Sequence, residues 1–138
     1  MRLSSMADYA VVTMCAAARH CGSKRISAAE LAQEIGLPPP TVQKLVSLLS
    51  RAGLLRATRG AGGGLQLARP AAAITLADIV EAVEGPIALT SCVDQGRHDC
   101  QLEAGCSVRP HWEIVNEALR GALADVPLTR LAQPRIPA

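Results

Sequence analysis

The chain has no phenylalanine, one tyrosine and one tryptophan among its 138 residues, so it lacks the large aromatic side chains from which sheet-rich cores are built. Its 49% hydrophobic content is largely Ala and Leu, which favours helices packed closely through small side chains. No run approaches the roughly 18 to 20 apolar residues of a membrane span, which excludes a helical membrane protein. The opening stretch MRLSSMADYAVVTMCAAARH is broken by Asp8 and Arg19 and lacks a convincing cleavage site, so a cytoplasmic location is expected. Five cysteines in a reducing compartment point to metal or redox chemistry rather than to a disulfide scaffold.

The net charge is only +2, but it is unevenly placed. Residues 1–69 hold nine Lys or Arg against three Asp or Glu, and residues 70–138 hold five against nine, giving balances of +6 and −4. A basic front half is the footprint of a polyanion partner; an acidic rear half would be repelled by the same partner and is left for another task.

Met6, Ala10, Val11, Met14 and Ala18 recur at helical spacing over residues 5–20. In ISAAEL, Ser27 can cap a helix with Glu30 at its third position, Ile26 and Leu31 can form a hydrophobic staple, and Gly36 closes the element. The prolines of GLPPPTVQKLVSLLSRAG then stiffen a turn and open a second helix, whose apolar face is Val42, Leu45, Val46, Leu49 and Ala52 and which ends at Gly53. Two short helices joined in this way predict a helix-turn-helix. Thr41, Gln43, Lys44, Ser47 and Arg51 lie largely off the apolar face, where they can meet base edges or phosphates.

LLRATRGAGGGLQLARP follows, with strands expected around 54–58 and 65–68 joined by a glycine-rich turn. A hairpin after a helix-turn-helix is a wing. Gly60 and Gly62 to Gly64 permit close backbone approach, while Arg56 and Arg59 supply charge for a phosphate or a minor groove. A Walker-type nucleotide loop would need Lys then Ser or Thr after the glycines, where Leu65 and Gln66 stand; a plain hairpin turn is the other alternative. Thr75 and Asp78 repeat the helix-start signal in ITLADIVEAVEG, and Gly85 and Pro86 end that helix.

The segment SCVDQGRHDCQLEAGCSVR carries Cys92, Cys100 and Cys106 with seven and five residues between them. Structural zinc sites usually contain a closer pair of ligands, and wider spacing suits a loop wrapped around an iron-sulfur core. Zinc, redox-active thiols and inert cysteines stay open on spacing alone. A cluster also needs a fourth ligand, with His98, His111, water, a small thiol or a carboxylate such as Asp8 as candidates. Cys15 and Cys21 are more simply core or surface residues of the first helix. Beyond the loop, Trp112, Ile114, Val115, Ala118, Leu119, Ala122 and Leu123 form a helical apolar face with little of its own chain to cover it, so a second copy is the expected partner. The tail PLTRLAQPRIPA has three prolines and is expected to be poorly ordered.

Taken together, MRLSSMADYAV, AELAQEIGLPPPTVQKLVSLLSRAGLLRATRGAGGGLQLARP, ITLADIVEAVEGPIAL and the cysteine triad resemble the iron-sulfur winged-helix repressor family over about residues 1–125. That family includes regulators of the Isc and Suf cluster-assembly pathways and the sensors NsrR and RirA. GPIALTSC and CSVRPHWEIVNEALRGAL look closest to the Suf-system regulators. The resemblance implies a [2Fe-2S] or [4Fe-4S] cluster on Cys92, Cys100 and Cys106. It also implies a recognition helix over residues 40–51 in a major groove, and Arg59 in a minor groove of a palindromic operator. Some [2Fe-2S] members take a histidine three residues after the last cysteine, where this chain has Arg109. In the nitric-oxide-sensing branch an aspartate from the partner's first helix completes a [4Fe-4S] cluster, which corresponds to Asp8 and favours [4Fe-4S] here.

The expected architecture is mainly α with a small β-hairpin, a winged helix-turn-helix plus a long C-terminal dimerisation helix. Its divisions are a DNA-binding domain (1–73), a connecting helix and strand (74–90), a cluster-binding loop (91–109), a dimerisation helix (110–125) and a flexible tail (126–138). The expected function is a homodimeric, DNA-binding repressor of iron-sulfur assembly genes that senses cluster, iron or oxidative and nitrosative status. It is not an enzyme and has no membrane partner. A metal-free thiol repressor, a small iron-sulfur redox protein and a protein-binding winged helix are the alternatives. Against the redox protein, Asp94, His98 and Asp99 are local to the loop and no substrate motif accompanies them.

Overall fold

The computed structural model describes residues 1–21, 25–60, 62–94 and 99–134. The chain runs α1 (Ser5–Arg19), α2 (Ala28–Ile35), α3 (Pro39–Arg51), β1 (Leu55–Thr58), β2 (Gly64–Leu67), α4 (Leu76–Glu84), α5 (Arg109–Ala124) and α6 (Leu128–Leu131). Short 3-10 turns at Ala71–Ala73, Ser91–Val93 and Glu103–Gly105 punctuate the connections. This is the mainly helical winged helix-turn-helix with a long late helix that the sequence predicts.

The local start and stop signals act as their chemistry requires. Ser27 Oγ accepts from the Glu30 N–H at 3.1 Å while the Glu30 carboxylate accepts from the Ser27 N–H at 2.9 Å, satisfying two otherwise orphaned donors. Thr75 and Asp78 make the same reciprocal pair at the start of α4, at 3.2 and 2.9 Å. Gly36 ends α2 at φ 75°, a left-handed position that an L side chain resists. Two prolines occupy the first two positions of α3, where an N–H has no helical partner to lose.

Helix α1 is central, with α2, α3, α4, α6 and β2 all packed against it. Ala7, Ala10, Ala16 and Ala17 are buried along it, so neighbouring backbones come close. Met14, Leu31, Val42, Leu45, Leu49, Leu54, Ile74 and Ile79 fill the space between them. Thr13 is fully buried as well, and its hydroxyl donates to the Tyr9 carbonyl at 2.8 Å, which removes the cost of an unpaired polar group.

The wing is a two-stranded antiparallel ribbon pairing Leu55 with Leu67 and Thr58 with Gly64. It is tied to the segment before α2: the Leu65 N–H donates to the Ile26 carbonyl at 2.7 Å, and Arg25 Nη1 donates to Thr58 Oγ1 at 2.9 Å. This contact gives part of the glycine run an internal cause. A Cβ on Gly64 would stand 2.8 Å from the Ile26 carbonyl oxygen, and one on Gly63 would stand 2.5 Å from the Thr58 carbonyl oxygen.

Two expectations are corrected. Residues 85–90 form no strand; they are irregular and are held by side chains. The supposed flexible tail turns back instead, at least through residue 134. The Leu76 N–H donates to the Val126 carbonyl and the Leu128 N–H to the Ile74 carbonyl, both at 2.8 Å, and Leu128 is fully buried in the core. Proline content misleads here because Pro127 is compatible with the extended residue before α6, whose first turn needs no proline N–H. Residues 135–138 lie outside the described residues.

Leu128→Ala should therefore destabilise the chain by about 2–5 kcal/mol in urea denaturation, the usual cost of emptying a packed leucine site. A change below about 0.5 kcal/mol, typical of a surface position, would return this segment to the status of a loose tail.

Candidate DNA-binding face and cysteine loop

Helix α3 turns one face inward and one outward. Val42, Leu45, Val46 and Leu49 are buried, whereas Gln43, Lys44, Ser47 and Arg51 are exposed and Thr41 is half-buried. Gln43, Ser47 and Arg51 are spaced four residues apart and so form one stripe along the outer surface of the helix. Two turns of polar and cationic groups, with no acidic residue among them, can donate to phosphates and to base-edge acceptors.

The wing adds Arg56, Arg59 and Gly60, all exposed. Arg56 lies opposite Gln66 across the ribbon, and its neighbour Leu55 points into the core, which fixes the outward direction of the arginine by strand alternation. Gly60 and Gly62 take φ values of 95° and 79°, so the tip bends where other residues would be strained. Sequence reasoning missed Arg25. Its guanidinium is exposed and braces the wing through Thr58, a contact 33 residues away in sequence that no local signal announces.

The rear half begins with a loop held at both ends. Cys92 is half-buried in the 3-10 turn Ser91–Val93, and its Sγ lies 3.0 Å from Thr90 Oγ1. Cys100 is exposed, and Cys106 is half-buried three residues before α5 begins. Arg109 Nη2 meets Glu103 Oε1 at 3.4 Å, joining the end of the loop to the first residue of α5. His98 lies outside the described residues; His111 is exposed near the start of α5, and Asp8 is exposed in the first turn of α1.

The donor chemistry of this loop fits an iron-sulfur core: three free thiols, none fully buried, carried on one short segment. Among the described residues no three His, Cys, Asp or Glu side chains come close enough to share a single metal ion. Cys15 is different in kind. Burial pushes its thiol pKa up, partly offset by the nearby Arg19 charge, so it stays protonated and inert in the core, whereas Cys21 is exposed just past the end of α1.

Helix α5 buries only Asn116. Trp112, Ile114 and Val115 are 37%, 69% and 45% exposed, with Leu102 and Val108 exposed before them, an apolar surface of the kind that marks a contact with another molecule. No helix among the described residues is long and apolar enough to cross a membrane.

Comparison with known proteins places this geometry. Residues 3–134 match the family model described as Rrf2, iron-dependent transcriptional regulator. The chain is 37% identical over 123 residues to protein aau3 of Rhizobium meliloti, covering 89% of this chain and 75% of that protein. It is 31% identical over 131 residues to the HTH-type transcriptional regulator IscR of Photorhabdus laumondii, covering 95% and 79%. Among solved structures, CymR, the global cysteine regulator of B. subtilis, superposes with a TM-score of 0.74 at 30% identity over 96% of both chains. T. potens IscR gives 0.72 at 27% identity over 95% of this chain and 85% of that one. With nearly its whole described length matched, the chain belongs to the Rrf2 family of iron-dependent transcriptional regulators, which are DNA-binding transcription factors and not enzymes.

Proposed function

We propose that this chain is a homodimeric repressor of iron-sulfur assembly genes that binds a palindromic operator and responds to an iron-sulfur cluster held by Cys92, Cys100 and Cys106. The observation that carries the reading is the set of three free thiols on one loop, set between a winged helix with an exposed basic face and a helix with an uncovered apolar face. The cluster would supply a redox-labile, thiolate-ligated core whose gain or loss reorders the loop. A [4Fe-4S] form completed by the partner subunit's Asp8 is favoured, because Arg109 stands where a ligating histidine would be needed. Assignment to the Suf-system branch rests on GPIALTSC and CSVRPHWEIVNEALRGAL alone.

Within the dimer, α5 covers the apolar face of its copy, and α3 of each subunit enters a major groove through Thr41, Gln43, Lys44, Ser47 and Arg51. The wing places Arg56, Arg59 and the Gly60 backbone against phosphates or the adjacent minor groove. Two recognition helices must meet half-sites about one helical turn, on the order of 34 Å, apart. A small rotation of one subunit against the other is then enough to weaken binding. Iron supply, oxidants or nitric oxide are the signals such a core can report. A metal-free thiol switch is the second reading, favoured by the exposure of Cys100.

Cys100→Ala should abolish iron and sulfide uptake during anaerobic reconstitution while leaving the helical circular-dichroism signal and the dimer intact. Visible absorbance equal to that of the unsubstituted chain would remove Cys100 from the ligand set, and a wild-type chain that takes up neither iron nor sulfide would favour the thiol switch. Separately, Arg59→Ala should weaken operator binding and lower the slope of log affinity against log salt by about 1, the signature of one lost phosphate contact. An unchanged slope would move that contact elsewhere.

A further inference from the structure

Between the end of α4 and Cys92 the backbone has no strand partner, yet Ile87 and Leu89 are held by side chains from α4 and α5. Asn116 on α5 makes two bonds to it: its Nδ2 donates to the Ile87 carbonyl at 2.9 Å, and its Oδ1 accepts from the Leu89 N–H at 2.9 Å. One amide thus serves alternate backbone groups as a neighbouring strand would, and only one orientation of the amide satisfies both. From the other side Glu81 on α4 accepts the Ile87 N–H through Oε2 at 3.1 Å. Its second oxygen, Oε1, accepts from Arg120 on α5 at 2.9 and 3.2 Å. Thr90 then lies against Cys92, with 3.0 Å between Oγ1 and Sγ.

Asn116 is one of two buried polar residues among those described, and it is the single residue of α5 that is buried. Burying an amide is costly unless all its bonds are made, so an apolar residue would serve better if packing were the only need. What the amide adds is position. The arm it holds leads directly to Cys92, while α4, which shares the arm through Glu81, packs against α1 and α3 of the DNA-binding half. Cys100, by contrast, is exposed.

We propose that Asn116 is a positioning residue which, with Glu81, locks the 87–92 arm to α4 and α5, so that a change in what Cys92 binds is delivered to the DNA-binding half. The proposal rests on the cluster reading above and adds to it the route by which the loop communicates. Cys92 is the ligand tied to this arm. Displacing it moves the two helices that set subunit geometry, whereas displacing Cys100 moves only the loop.

The test compares the wild-type dimer with Asn116→Leu, which keeps the branched shape of the side chain and removes both bonds, each protein being assayed loaded with iron and sulfide and after stripping with a chelator. The variant should load normally, since all three thiols remain. Its Leu89 amide should exchange with deuterium faster than in the wild type, and the loaded cluster should be lost faster to chelator. The ratio of operator affinities between loaded and stripped forms should fall from the usual allosteric range of about 5- to 150-fold to within about 2-fold of unity. Should Asn116→Leu not fold, Glu81→Ala, which frees the same arm from a partly exposed position, should reduce the ratio in the same direction. A variant that loads and keeps the wild-type ratio overturns the role of Asn116 alone. A wild-type chain that never takes up iron and sulfide overturns the cluster reading and this proposal together.

Discussion

The packing of α2, α3, α4, α6 and β2 depends on the narrowness of α1. With no phenylalanine available, the core is closed by bringing backbones near one another, and Ala7, Ala10, Ala16 and Ala17 make that approach sterically free. Dispersion contacts fall off steeply with distance, so a helix lined with small residues gains from several close neighbours what a larger side chain gains from one. Helix α3, the wing and α4 are therefore all packed on one rod, and α4 also packs directly against α3.

What was legible in the sequence was whatever is decided within a few residues. The capping boxes at Ser27 and Thr75, the stop at Gly36, the prolines opening α3 and the hairpin each follow from side chains three or four positions apart, and each appears where expected. What escaped is decided by partners far along the chain. Arg25 finds Thr58, Asn116 finds Ile87 and Leu89, and Leu128 finds Ile74; none of these pairs has a periodicity or a motif. The glycine run falls between the two cases. Its flexibility was readable, but the need for Gly63 and Gly64 comes from crowding by Thr58 and Ile26, not only from a surface to be approached. For the candidate site, the outward stripe of α3 and the grouping of the cysteines were visible as pattern, whereas the arm holding Cys92 was not.

The two halves divide their chemistry as the charge division foreshadows. The cationic groups of α3 and the wing stand in water, where they keep their hydration until a polyanion replaces it. In the rear half, acidic side chains are used internally: Glu81 holds Arg120 and the arm, Glu103 meets Arg109, and Asp78 caps α4 while reaching Arg69 at 3.4 Å. At these three residues acidity is structural.

The return of the chain to Ile74 carries a consequence for how the protein is made. A side chain that closes the core of the DNA-reading half is supplied by residue 128, after the cysteine loop and the whole of α5 have been synthesised. On the ribosome the front half must wait, incompletely packed, until nearly all of the chain has emerged. The front and rear halves are consequently born as one folding unit, and a cut at residue 73 would leave the front half without part of its own interior.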